Sequence, residues 1–184
     1  MTAIAFNQDG SQVVVCPGTK ELYLFNTNGS KEENKWTEIQ ILNEHSMEAY
    51  AIDWNHDRNL IVSGSVDWSV FVWNFDTTKQ KFGPQFVSLD EKLSIIDIKW
   101  ARNGKKFVAG TSSKWIYVAW EDEKLKAEGI DWNSVKVKVS FDSSILSVSF
   151  DPTGRVIAAT SFDGNCKIIS AYYPEIDTVD QGIF

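Results

Sequence analysis

Three side chains, His45, Ser63 and Asp67, are the residue types of a hydrolytic triad: an imidazole base, a hydroxyl nucleophile and a carboxylate to orient the base. In that reading Ser63 would attack an acyl carbon while His45 took its proton. The surrounding sequence opposes it. No Gly-x-Ser-x-Gly turn is present, and Ser63 lies within the apolar run LIVSG, whereas a nucleophile stands on an exposed elbow. A fourth residue, Trp73, follows at close spacing in GSVDWSVFVWNF, and an indole has no part in acyl transfer. A turn-borne carboxylate such as Asp67 has another use, holding two strands together. A buried carboxylate and a buried indole N–H each require a hydrogen-bond partner. The expectation is therefore a structural set, His45, Ser63, Asp67 and Trp73, with no catalytic residue and no enzyme.

Other chemistry is sparse. His45 and His56 show no metal-ligand spacing with Cys16 and Cys166, so neither a metal site nor another cofactor is expected. Phosphate-cradling glycine loops and calcium loops are absent. Asn28-Gly29-Ser30 fits a glycosylation tripeptide, but no secretory signal accompanies it. The two cysteines lie far apart in strand-like sequence, which reads as buried thiols of a reducing compartment, and cytoplasmic localisation follows.

The elements that would position these residues come from a repeat. Four segments align on an aromatic residue: IAFNQDGSQVVVCPGTKELYLF on Phe6, AIDWNHDRNLIVSGSVDWSVFVW on Trp54, IKWARNGKKFVAGTSSKWIYVA on Trp100 and VSFDPTGRVIAATSFDGNCKII on Phe150. The anchors stand 48, 46 and 50 residues apart, and the offsets that follow hold without insertion. Thirteen residues past each anchor, for example, come Thr19, Asp67, Ser113 and Asp163. Each unit runs strand, polar turn, strand, small-residue turn, strand, loop, strand, the last strand being KWTEIQIL, PQFVSL or VKVKVSF. Short apolar runs bounded by turns leave no room for a helical period. Four antiparallel strands recurring at about 40–45 residues describe a β-propeller blade.

The predicted fold is all-β, with about four four-stranded blades at approximately 1–43, 44–90, 91–141 and 142–184 in one partial propeller domain. The strands are apolar almost throughout, as expected when a blade packs against a neighbour on each face. Burying an anchor such as Trp54 or Trp100 removes about 150–250 Å² from water, worth at most ~4–6 kcal/mol. Phe6, Trp54, Trp100 and Phe150 are therefore expected to carry cohesion between blades. Trp68, Lys114, Trp115 and Phe162 lie at or beside the turns joining second and third strands, where exposed aromatic side chains could anchor a partner. EDEKLKAEG, residues 121–129, reads as a solvated loop.

Charge excludes further classes. With 18 basic and 25 acidic residues the net charge is −7, and no basic block could track nucleic acid or an anionic membrane. Neither nucleic-acid binding nor membrane insertion is expected.

The second unit resembles the WD-repeat family. His45 matches its His in the loop entering a blade, Ser63 its hydroxyl in the second strand, Asp67 its turn carboxylate and Trp73 its third-strand Trp. The resemblance implies a hydrogen-bonded chain from indole through hydroxyl and imidazole to carboxylate. Departures are present: Trp73-Asn74 stands for the terminal Trp-Asp pair, Glu44 for the Gly before the His, and units one and three lack the turn Asp. Segments in order, including KWTEIQILNEH, KKFVAGTSSKWIYVAW and ILSVSFDPTGRVIAATSFDGNCKIISAYYPEID, resemble the WD-repeat subunits of the actin-related protein 2/3 complex. That implies a non-catalytic scaffold within a wider ring, with the other complex subunits, actin filaments and nucleation-promoting factors as partners at the actin cytoskeleton. A WD-repeat adaptor of another assembly, such as a ubiquitin-ligase substrate receptor or a trafficking complex, is the alternative. Four units of a wider ring would leave two blade faces bare and one sheet edge unpaired.

Overall fold

The computed structural model describes residues 3–89, 91–122, 125, 131–139, 141–174 and 176–177. Among these residues fifteen strands form four antiparallel sheets in chain order. Blade one holds β1 (Ala3–Phe6), β2 (Gln12–Cys16), β3 (Leu22–Asn26) and β4 (Thr37–Leu42). Blade two holds β5 (Ala49–Asn55), β6 (Leu60–Ser65), β7 (Val70–Asp76) and β8 (Lys81–Val87). Blade three holds β9 (Ile95–Trp100), β10 (Lys106–Thr111), β11 (Ile116–Glu121) and β12 (Trp132–Lys136). Blade four holds β13 (Ile145–Phe150), β14 (Val156–Ser161) and β15 (Cys166–Ser170). It has three strands among the described residues, where four were expected.

The four anchors occupy one register position. Phe6 pairs Val13, Trp54 pairs Ile61, Trp100 pairs Phe107 and Phe150 pairs Ile157, seven residues on in every unit. Left-handed glycines, Gly10, Gly104 and Gly154, turn the chain after three of the anchors, while blade two uses Asn59 one position later.

Three apolar clusters bind blade one to two, two to three, and three to four. Sandwiching shows in the second strands. All six residues of β6 and all six of β10 are buried, because a blade covers each face. β14 alternates between buried and half-buried residues, because no further blade covers its far side among the described residues. Anchor burial follows the same logic. Trp54 and Trp100 are 4% and 7% exposed, but Phe6 is 42% exposed and Phe150 is half-buried. Burial is thus unequal among the four anchors, and among the described residues no blade lies against the exposed face of Phe6.

The expectation of two buried thiols is corrected likewise. Cys16 is buried and donates through Sγ to the Ala49 carbonyl at 2.8 Å, whereas Cys166 is exposed at the edge strand of blade four. Most of the 121–129 stretch lies outside the described residues; Glu121 itself ends β11.

Candidate functional site

Ser63 on β6, Trp73 on β7, Asp67 in the turn between them and His45 in the loop entering blade two converge on one line of hydrogen bonds. The Trp73 indole N–H donates to Ser63 Oγ at 2.9 Å, and Ser63 Oγ lies 2.8 Å from His45 Nε2. His45 Nδ1 lies 2.7 Å from Ser69 Oγ and 3.6 Å from Asp67 Oδ1, and Ser69 Oγ donates to Asp67 Oδ1 at 2.5 Å. Ser69 thus stands between imidazole and carboxylate, a member that sequence reading missed. Its signal was local: Asp-x-Ser lets the carboxylate accept the Ser69 backbone N–H two residues on, at 2.8 Å.

The two ends fix the direction of every proton. An indole only donates and a carboxylate only accepts. Ser63 therefore donates to Nε2, and the Nδ1–H of neutral His45 donates to Ser69. Burial pushes the His45 pKa below its ordinary 6.5, against the opposing pull of Asp67. Burial alone would raise the Asp67 pKa, but hydrogen bonds from the Ser69 hydroxyl and from the Ser46 and Ser69 backbone N–H groups outweigh it and hold the carboxyl well below the usual range. As a hydrolase the set fails on access: Ser63 is fully buried, and its oxygen is already shared between Trp73 and His45.

Blade four keeps the carboxylate and drops the rest. Asp163 Oδ2 accepts the Asp142 N–H at 2.7 Å across 21 residues, as Asp67 Oδ2 accepts the Ser46 N–H at 2.6 Å across 21. At the positions of His45, Ser63 and Trp73 stand Phe141, Ala159 and Ile169, all within one apolar cluster. The turn-to-loop staple and the buried polar chain are therefore separable devices.

These turns and the loops between blades share one face, stitched along its length. Ala49 N donates to Thr19 O at 2.9 Å, Val66 N to Glu48 O at 3.0 Å, Ser112 N to Ser94 O at 2.8 Å and Phe162 N to Ser144 O at 3.0 Å. Trp68 stands at the tip of the blade-two turn, 47% exposed at φ 71°, where blade four has Gly164 at φ 82°. An aromatic residue in the left-handed region costs conformational energy and is here largely uncovered. Lys92 Nζ lies 5.4 Å from its ring centroid. Phe162 is 69% exposed, and Trp115, half-buried, carries Lys114 and Lys136 against its ring at 5.4 and 4.4 Å. No group of His, Cys, Asp and Glu among the described residues could hold a metal ion.

Four consecutive antiparallel blades, two of them stapled by a turn carboxylate to the entering loop, define a segment of a WD-repeat propeller. The chain carries WD40 repeats: the "WD domain, G-beta repeat" profile matches residues 36–74 and 134–170. Over most of its length the chain is similar to actin-related protein 2/3 complex subunit 1A of Arabidopsis thaliana, at 27% identity over 98% of the chain and 46% of the relative. Subunit 1A-B of Xenopus laevis is 28% identical over 96% of the chain and 45% of the relative, and subunit 1 of Schizosaccharomyces pombe is 26% identical over 94% and 44%. The chain thus spans about half the length of these curated relatives, consistent with their N-terminal half. A chain in the crystal structure of a mitotic checkpoint complex shares the fold, with a TM-score of 0.71 at 15% identity over 94% of this chain and 49% of that one.

Proposed function

We propose that this chain is a non-catalytic scaffold, the blades at approximately 1–43, 44–90, 91–141 and 142–184 of a ring of about seven. It would sit in an actin-related protein 2/3 complex and support nucleation of branched actin filaments through contacts between proteins. One observation carries the reading: relatives from a plant, a frog and a fission yeast, all bearing that subunit's name, align over 94–98% of the chain. The buried Ser63 supports a role without bond chemistry. Trp68, Lys114, Trp115 and Phe162, on the turn-bearing face, are the proposed partner contacts, with other complex subunits, actin filaments and nucleation-promoting factors as the partners and the cytoplasmic actin cytoskeleton as the setting. Among the described residues no helix is long and apolar enough to cross a membrane.

Purification of the tagged protein from its own cells tests this. Recovery of the actin-related proteins is the expected result; a different stable complex without them would favour a WD-repeat adaptor of another assembly. An esterase or peptidase activity abolished by Ser63→Ala at unchanged melting temperature would overturn the non-catalytic reading.

A further inference from the structure

Six residues past each anchor the repeat places Gln12, Leu60, Lys106 and Val156. Lys106 is fully buried, an unusual location for an ammonium group. Its Nζ donates to Asp177 Oδ2 at 2.5 Å and to the Ala171 carbonyl at 2.7 Å, and the rings of Phe150 and Tyr173 flank it at 5.8 and 5.6 Å. Asp177, 6% exposed, also accepts the Tyr173 backbone N–H at 2.9 Å through the same oxygen.

The segment beyond β15 is consequently folded back over the joint between blades three and four. Ile176 N and Asp177 N both donate to Tyr173 O, at 2.9 and 2.8 Å, closing one tight turn, and Ala171 N donates to Arg155 O at 2.8 Å. Tyr173 stacks on Trp120 of blade three with centroids 5.2 Å apart and planes 25° from parallel. Ile176 is 8% exposed. In the other three blades the chain leaving the third strand returns as a fourth strand on the same sheet. Here the described residues first cross to the neighbouring blade, and the one charged contact across a sequence gap of 71 residues holds them there.

We propose that residues 171–174, 176 and 177 form a strap locked by the Lys106–Asp177 pair, and that this lock makes blades three and four a single cooperative unit whose opening frees that strap. Each partner needs the other: a buried charge that loses its counter-ion is left uncompensated, so neither half of the lock survives alone. The inference is independent of the proposed function, since it concerns only the chain's own joint.

Native-state hydrogen exchange on the unaltered protein is the first test. Amides of the strap, of β10 and of β14 should open together, with a common dependence on denaturant. A strap that opens in a separate, lower step would overturn the proposal. Asp177→Asn is the second test: exchange of the strap and of β10 should accelerate at least ~tenfold while β2 and β6 stay unchanged. Unchanged strap exchange, or a fast strap beside an unaffected β10, would sink the idea. Should that variant fail to fold, Lys106→Leu with Asp177→Leu removes both charges and places at 106 the residue blade two uses. This pair should recover melting while the strap still exchanges faster than in the parent, and parental exchange there would count against the lock.

Discussion

At the residue scale, a donor-only indole and an acceptor-only carboxylate force His45 to remain neutral. Protonation would place a second donor against Ser63 Oγ, which already accepts from Trp73 and would lose its own acceptor. The folded-state pKa of His45 lies below its ordinary 6.5, so its contribution to stability is fully present above 6.5 and declines as the pH falls from 6.5 toward the lowered value. Asp67 acts in a separate window, its contribution present above 3.8 and lost only as acidity increases below that. Melting temperature should therefore fall between about pH 7 and pH 5. His45→Phe, the residue type blade four has at Phe141, should flatten that slope while lowering stability at neutral pH by about 1–3 kcal/mol, the cost of leaving the Ser63 hydroxyl unmet. A second comparison concerns the anchors. Trp54 Nε1 donates to Asn59 Oδ1 at 2.9 Å, but Trp100 Nε1 is buried with no partner among the described residues, since Lys105 holds the corresponding place. Trp54→Phe should lose that bond, about 1 kcal/mol beyond its lost contact area, whereas Trp100→Phe removes an unsatisfied donor and should cost less. Denaturant melts of the two variants would settle the order.

At the element scale, blades are fitted to one another by paired residue size. A Cβ added at Gly64 would lie 2.4 Å from Ile95 Cγ2, and one at Gly110 would lie 2.7 Å from Ile145 Cγ2. At the equivalent first joint the second strand has Cys16 and the next blade has Ala49, with Sγ against the Ala49 carbonyl. Blade four has Thr160 at this place, with no further blade among the described residues to clash with it. Gly64→Ala should therefore destabilise by about 1–3 kcal/mol. Adding Ile95→Ala should recover part of that loss and give a favourable coupling in a double-mutant cycle, whereas strictly additive losses would refute size matching. Much of this architecture was legible in the sequence, because the register is a property of each unit alone. The anchor spacing places Phe6, Trp54, Trp100 and Phe150 at equivalent positions, and the continuous apolar character of LIVSGS and KFVAGT matches strands covered on both faces. What was not legible depends on contacts between units. The Gly64–Ile95 fit recurs at fixed repeat positions but shows its close approach only when two blades are packed, and Lys106 meets Asp177 across 71 residues. The burial of Cys166 was misjudged for the same reason, its face being uncovered among the described residues.

At the scale of the whole molecule, every blade sets one face on the next, so among the described residues the first and the fourth blade each have a face that no other blade covers. The two ends are not finished alike. At the first, the loop after β3 brings Trp36 over the face, edge-on to Phe6 at 6.4 Å and tilted against Phe25 at 6.5 Å, with its indole N–H bound to the Ser30 carbonyl. Charged residues follow one another along this loop, and its Trp36 half-covers Phe6 as Phe82 meets Trp54 in blade two and Trp132 meets Trp100 in blade three. At the other end Ile168 is 70% exposed on β15, beside the exposed Cys166. An exposed apolar residue on a strand with no outer partner among the described residues is a site for association. The 184-residue chain on its own should therefore self-associate with rising concentration through blade four, and Ile168→Lys should shift it toward monomer in light scattering while Ile4→Lys, on the face that Trp36 half-covers, does less. Thiol labelling gives an independent reading of the same face: Cys166 should react rapidly at low concentration and more slowly as association sets in, while Cys16 reacts only on unfolding. A monomer at all concentrations, with Cys166 labelled at a constant rate, would show that the β15 face is satisfied by water and refute association through blade four.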